Sequence, residues 1–313
     1  MLVILFTVAL LLSLAVPSPA QGVDNATIDR FNIFAQYAAA AGCDQNNNST
    51  DSPIVTCDYG CPLLTDFNVT TLYEFQNKGW ADVTGYLALD KSRKLLVLAF
   101  RGSVSSSNWR DDLVALPIPV PSLCLNCWVH EGFHAAWNSV RRSVVGVLDD
   151  ALAAHSDYQL VFTGHSLGGA IATMAATRLR DENRWGGRDI QLYTFGAPII
   201  GNKHTAVKTT TLVSIFRATH QDDAVPRLPF RLWPPFDYTQ PSPEYWIISD
   251  NGEPVTVDDV VYIEGSGSEQ GNLGTTGNDT SKHMWYFSNM TVCAAPEDRC
   301  QGWGCIFGNW VPY

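Results

Sequence analysis

Apolar positions along the chain follow two rhythms, and their alternation sets the fold class. Within residues 24–41, Phe31, Phe34, Ala35 and Ala38 share one helical face, which predicts an amphipathic helix. Residues 83–89 and 94–100 are apolar runs separated by Asp90-Lys91-Ser92-Arg93, which predicts two strands joined by a turn. After Glu131, the residues Phe133, Trp137, Val140, Val144, Val147 and Leu148 recur at helical spacing and predict a long helix. A strand over 159–163, a helix over 168–180 and strands over 190–195 and 212–217 follow, with another antiparallel strand over 255–263. Strands with unbroken apolar runs, alternating with helices, predict an α/β fold: a mostly parallel central sheet with helices on both faces. The early hairpin makes that sheet mixed. Residues 226–243 (Pro and aromatics) and 265–281 (Gly, Ser, Thr and Asn) read as loops inside one domain.

Composition narrows the function classes. The 313 residues are 46% hydrophobic and 16% charged, enough apolar material for a large core and too much for a disordered chain. Lys and Arg number 20 against 31 Asp and Glu, a net charge of −11. That balance disfavours nucleic-acid phosphates and anionic membranes as partners, since both are held by basic side chains. The apolar run Leu2 to Val16 ends in Pro17-Ser18-Pro19-Ala20, whose small residues suit cleavage before Gln21. Residues 1–20 therefore read as a secretory signal peptide, too short to serve as a spanning helix. No later stretch is long and apolar enough to be a transmembrane segment. Sequons at Asn25, Asn48 (overlapping one at Asn47), Asn68, Asn278 and Asn289 agree with export to an extracellular location. Eight cysteines, an even number, read as a disulfide set.

The chemistry centres on Gly164-His165-Ser166-Leu167-Gly168, which lies between the strand ending at Thr163 and the helix beginning near Ala170. A sharp strand-to-helix turn of this kind exposes a serine above the sheet edge, making Ser166 the candidate nucleophile. The helix behind it offers unpaired N–H groups and the positive end of its dipole to a developing oxyanion. A serine hydroxyl needs a base to take its proton. Of seven histidines, His165 adjoins the serine; His130, His134 and His155 precede it; His204 and His220 lie before or beside the best acid. His283 comes last and follows the 265–281 loop, so it is the candidate base. The acid belongs beyond a strand end after the elbow, where Asp222 and Asp223 follow the strand 212–217; position alone leaves both open.

With these segments in this order, the chain resembles the fungal class 3 lipases. This is an α/β-hydrolase family of secreted triacylglycerol lipases, with feruloyl esterases as close relatives. The resemblance runs from about Val83 to Cys293. It rests on Leu98-Ala99-Phe100-Arg101-Gly102-Ser103, Asn108-Trp109, His130-Glu131-Gly132-Phe133, the serine motif extended by Gly169, Thr194-Phe195-Gly196-Ala197-Pro198, Asp223-Ala224-Val225-Pro226-Arg227-Leu228-Pro229, Pro243-Glu244-Tyr245-Trp246-Ile247 and His283-Met284-Trp285-Tyr286-Phe287. It implies an α/β-hydrolase domain over 21–293, followed by a tail over 294–313.

The resemblance also implies roles. Asp223 is then the acid, because the family's Asp stands one short residue before Val-Pro. The oxyanion donors are the Leu167 backbone N–H and Ser103. The segment 105–116 becomes a lid, with Trp109, Leu113 and Leu116 on one face, Arg110, Asp111 and Asp112 off it, and Ser106 or Asn108 as cap. Val225, Leu228, Phe230, Leu232, Trp233 and Phe236 would wall an apolar acyl groove. Disulfides follow the same pattern: Cys57 with Cys61, Cys124 with Cys127, Cys43 with Cys293, and Cys300 with Cys305 as an extra loop in the tail. The implied function is a secreted monomeric triacylglycerol lipase working at a lipid–water interface through an acyl-enzyme, with no metal or cofactor. Feruloyl esterase and phospholipase are the alternatives within the family. An inactive hydrolase fold used as a secreted binding protein is the alternative from another class, and the complete Ser, Asp and His set speaks against it.

Overall fold

Helix α1 (Asn25–Ala40) begins where the Asp24 carboxylate accepts the Thr27 N–H at 2.7 Å, a side-chain cap on the first free turn. The computed structural model describes residues 23–49, 53–57, 60–78, 82–102, 116–230 and 237–293. Beyond α1 come a short helix α2 (Pro62–Thr65), then β1 (Thr70–Lys78), β2 (Val83–Asp90), β3 (Leu95–Phe100) and the hairpin strands β4 (Pro117–Pro119) and β5 (Trp128–His130). Next are α3 (Glu131–Ala154), β6 (Gln159–His165), α4 (Leu167–Asp181), β7 (Ile190–Phe195), α5 (Lys203–Leu212), β8 (Ser214–His220), β9 (Glu244–Ile247) and β10 (Val260–Ile263).

Eight strands form one sheet in the order β1-β2-β3-β6-β7-β8-β9-β10. β3, β6, β7, β8 and β9 run parallel, while β1, β2 and β10 pair antiparallel at the two edges. The period-two rule divides each strand between two cores. In β3, Leu96, Leu98 and Phe100 pack with α3 and α4 (Phe133, Trp137, Val140, Met174), whereas Val97 and Ala99 pack with α1 (Phe31, Phe34, Ala38). Burial on both faces is why these strands carry no polar alternation. It is the mostly parallel, helix-covered α/β sheet that the apolar runs predict.

Three elements differ from the sequence reading. The strand expected over 212–217 begins at Ser214, because α5 occupies the residues through Leu212. Asn202 caps α5 by accepting the Thr205 N–H at 3.1 Å, and Thr210 and Thr211 turn their hydroxyls back onto the Ala206 and Val207 carbonyls. That run of threonines has weak helix propensity and hides the helix. β1 escapes notice because its register shifts twice, between Thr71 and Tyr73 and between Phe75 and Lys78, breaking the alternation. The strand expected over 255–263 shrinks to β10, since a capping box between Thr256 and Asp259 winds residues 257–259 into a helical turn.

Cys43 is bonded to Cys293, 250 residues away, tying the end of α1 to the end of the described chain. Cys57–Cys61 and Cys124–Cys127 close small loops; Cys300 and Cys305 lie outside the described residues. Among the described residues no helix is long and apolar enough to cross a membrane.

For the site, the decisive feature is that β6, β7 and β8 end together. His165 pairs with Phe195, and Phe195 with Ala218, so the loops after all three strands leave the sheet at one edge. In open α/β sheets that edge, outside the carboxyl ends of the strands, is where ligands bind.

Candidate active site

Ser166 stands between β6 and α4 at φ 54° and ψ −130°, a backbone conformation that a residue with a Cβ rarely holds. The turn is tight enough to require its glycines. A Cβ on Gly164 would collide with the Gly168 carbonyl carbon, and one on Gly168 with the Phe100 carbonyl oxygen. The Ser166 N–H donates to the Phe195 carbonyl at 2.9 Å, which fixes the turn to the end of β7. Its hydroxyl does not cap α4, so the serine is not there merely to start that helix. Leu167 is the first residue of α4, and the first N–H groups of a helix have no partner within it.

Asp223 is fully buried three residues beyond β8. Its Oδ1 accepts the Val225 N–H at 2.9 Å; its Oδ2 accepts Nδ1–H of His283 at 2.7 Å and the Tyr286 hydroxyl at 2.5 Å. Asp222 makes no contact of this kind: its side chain turns toward Gly277, and its carbonyl accepts from Arg227. Of the two aspartates that position left open, the one joined to His283 is Asp223.

His283 is itself buried, in a helical turn over Thr280–Met284. Donating through Nδ1 leaves Nε2 with a lone pair for a proton. Two neighbours of Ser166 and of its partner Phe195 set the ring's place. His165 donates from Nε2 to the His283 carbonyl at 2.8 Å, with the two rings 4.5 Å apart. Gly196, at φ 63°, comes so close that a Cβ there would lie 2.9 Å from His283 Cε1 and Nδ1. Burial, with the adjacent His283 ring, pushes His165 down to about 3, so its ring is neutral at any working pH and does not compete for the proton.

Four residues to which the sequence reading gave no role hold this arrangement. The Tyr286 phenol is driven well above its ordinary range by burial and then by the Asp223 carboxylate, and so stays a donor. Asn272 donates from Nδ2 to the Asp223 carbonyl at 2.7 Å and to the Gln221 carbonyl at 3.0 Å. Arg227 bridges the acid loop and the 275–277 segment, donating to Thr275 O at 2.8 Å, Asp222 O at 2.9 Å and Gly277 O. His220 reaches the His283 turn from the end of β8. Tyr286 was visible only as part of the motif that follows His283; nothing in the sequence marks Asn272.

Tyr286→Phe tests the phenol. Removing one donor from a buried carboxylate costs about 1–3 kcal/mol, and about 1.4 kcal/mol of that reaching the transition state corresponds to ten-fold in rate. The expected result is a folded protein with kcat down about ten-fold; unchanged kcat would mean the phenol does not support the carboxylate.

Ser103 and the lid residues Ser106, Asn108, Trp109 and Leu113 lie outside the described residues, as do Leu232, Trp233 and Phe236. Gly102, next to Ser103 in sequence, packs on the elbow: a Cβ there would lie 3.4 Å from the Ser166 Cβ. Of the sequons, Asn25, Asn48, Asn68 and Asn278 are exposed, and Asn289 is half-buried with its oxygen taken by Thr291. Asn47 is buried with its amide bonded to the Ala41 and Cys43 carbonyls, which leaves Asn48 as the accessible member of that overlapping pair. Among the described residues, one group of metal-type ligands converges: Cys43, Cys57 and Cys293, with sulfurs within 4.8 Å of one another. All three are disulfide-bonded and offer no thiolate.

The family described as Lipase (class 3) matches residues 97–233. Secreted mono- and diacylglycerol lipase A of Penicillium cyclopium is 36% identical, covering 91% of this chain and 93% of that protein. Secreted mono- and diacylglycerol lipase 1 of Fusarium solani is 34% identical, covering 85% and 78%. Among solved structures, a mono- and diacylglycerol lipase from Aspergillus oryzae superposes with a TM-score of 0.78 at 36% identity, covering 85% of this chain and 98% of that one.

Proposed function

As a member of the class 3 lipase family the chain is an ester hydrolase of the lipase kind, and we propose that it cleaves acylglycerols at a lipid–water interface through Ser166, His283 and Asp223. His283 Nε2 takes the Ser166 proton as the hydroxyl oxygen attacks the ester carbonyl. The oxyanion is held by the Leu167 N–H and by Ser103; in comparable hydrolases one such donor is worth about 3–4 kcal/mol. Asp223 keeps the imidazole in the accepting tautomer and stabilises the imidazolium. His283 then returns the proton to the leaving glyceride oxygen. Water, deprotonated by the same imidazole, releases the fatty acid from Ser166.

The observation that carries this reading is the buried Asp223–His283 pair, Nδ1 to Oδ2 at 2.7 Å, set beside a strained serine elbow. Interfacial action rests on the apolar face Trp109, Leu113 and Leu116 of the proposed lid, since an oil surface stabilises only a lid position that exposes it. The names of relatives at 34–36% identity favour mono- and diacylglycerols over the triacylglycerols that the motif resemblance implies. We take residues 1–20 to be removed on export, so the mature chain begins at Gln21.

A substrate panel tests the reading: emulsified monoolein, diolein and triolein against soluble methyl ferulate. Rates on the partial glycerides should exceed the ferulate rate by at least about ten-fold, a transition-state preference of about 1.4 kcal/mol. Faster ferulate cleavage would make the protein a feruloyl esterase. A preference for triolein would restore the triacylglycerol reading, and no hydrolysis of any ester would leave the binding-protein reading.

A further inference from the structure

Two of the disulfides are neighbours in space. The sulfurs of Cys43, Cys57 and Cys293 lie within 4.8 Å of one another, although Cys43 is bonded to Cys293 and Cys57 to Cys61. Reacting atoms in a near-attack arrangement stand about 3–3.5 Å apart, so a free Cys57 thiol would need to move at most about 2 Å to meet the neighbouring bond. The proposed ester hydrolysis uses none of these cysteines.

The two bonds do different work. Cys43–Cys293 spans 250 residues and ties the end of α1 to the segment that follows the His283 turn. That segment is packed on α1: Phe287 stacks on Phe31 at 4.9 Å, and Met290 and Val292 are buried in the same core. Cys57–Cys61 spans four positions. In the chain-entropy account a bridge restrains the unfolded chain in proportion to the logarithm of its loop, so the short bridge adds little beside the long one. What it does is keep the Cys57 sulfur in a bond next to a disulfide that a thiolate would attack. Water reaches the cluster unevenly. Cys43 and Cys61 are buried, whereas Cys57 and Cys293 are half-buried. The short bridge is therefore open to a small reductant at Cys57, and the long one offers a half-buried leaving sulfur at Cys293.

We propose that Cys57 is a thiol–disulfide exchange site for the long-range bond, and that its bond to Cys61 guards the tie. A small dithiol opens Cys57–Cys61: the dithiol is oxidised to its cyclic disulfide, and Cys57 and Cys61 are reduced to thiols. Cys57 then gives its proton to solvent and attacks Cys43. The Cys57–Cys43 bond forms, the Cys43–Cys293 bond breaks, and its electron pair leaves on Cys293, which takes up a proton. This second step is an isomerisation and consumes no further reductant. Cys293 is the leaving group because a thiolate is better carried at a half-buried position than at buried Cys43. The segment from Phe287 onward is thereby untied from α1. None of this depends on the roles of Ser166, His283 and Asp223. The folded protein is treated with limiting dithiothreitol at about pH 8.5, near the ordinary thiol pKa, then acid-quenched, alkylated and mapped by mass. The expected product links Cys43 to Cys57, with Cys61 and Cys293 alkylated. Cys57 and Cys61 both alkylated beside an intact Cys43–Cys293 bond would overturn the proposal, as would loss of Cys43–Cys293 with Cys57–Cys61 still closed. A pair of variants gives a rate. Under the same dithiothreitol, Cys43–Cys293 should be lost at least about ten-fold faster in Cys61→Ser than in the double variant Cys57→Ser/Cys61→Ser, since a neighbouring thiol has a high effective concentration. Equal rates would overturn it. If either variant fails to fold, the linked peptides of the unsubstituted protein still decide.

Discussion

Ser166→Ala should fold as the parent does and lose at least about 10⁴-fold, and up to about 10⁶-fold, of its kcat on emulsified monoolein, the range seen when a hydrolase nucleophile is removed. The stability side follows from the elbow. The hydroxyl caps nothing in α4, and alanine must adopt the same φ of 54° that serine already does, so the backbone strain is common to both. Melting temperature should therefore shift little, since a substitution with no packing, cap or hydrogen-bond role falls within about 0.5 kcal/mol. The activity side follows from chemistry: alanine offers no oxygen to attack the ester, and the oxyanion donors together with substrate binding supply only the residual rate. A fluorophosphonate probe gives the parallel readout, labelling the parent and not the variant. Hydrolysis at parental rates by Ser166→Ala, or continued labelling elsewhere, would move the nucleophile away from the elbow.

Much of this was legible along the chain, and the parts that were not have two physical causes. The elbow is local: Gly164, Ser166 and Gly168 are needed within five residues because strand, turn and helix approach within van der Waals distance there. Helices α1 and α3 are legible because burial on one face imposes a period that sequence displays. α5 is obscured because Thr210 and Thr211 satisfy their hydroxyls on the helix's own carbonyls, which no propensity scale rewards. The supporting shell of the site is obscured for another reason. Asn272 and Tyr286 reach Asp223 from 49 and 63 positions away, and the His220 ring reaches Trp285 across 65. Contacts at such separation are fixed by the sheet order, in which β8 lies beside β9 and β9 beside β10, and not by any spacing in the sequence.

The choice between adjacent aspartates gives the sharpest test of the site as a unit. Asp223→Asn should lower kcat by about 10⁴-fold, the loss that follows when the residue behind a catalytic imidazole can no longer hold its tautomer. Around Oδ1 and Oδ2 of Asp223 stand three donors: the Val225 N–H, His283 Nδ1–H and the Tyr286 hydroxyl. An asparagine has one oxygen for them. If its NH₂ group faces His283, Nδ1 must give up its hydrogen and accept, the hydrogen moves to Nε2, and the ring can no longer take a proton from Ser166. If the NH₂ group faces Val225 instead, two N–H groups oppose each other in a buried site, which costs about 1–3 kcal/mol. Asp222→Asn meets none of this, because its side chain contributes nothing to the His283 ring and its carbonyl, the group that Arg227 holds, is unchanged. It should stay within about three-fold of the parent, under about 0.7 kcal/mol. Melting curves of both variants separate folding from chemistry, and the ranking of kcat decides between the two aspartates: a large loss in Asp222→Asn beside a mild one in Asp223→Asn would mean that His283 takes its orientation from elsewhere and that the Asp223 pair is structural.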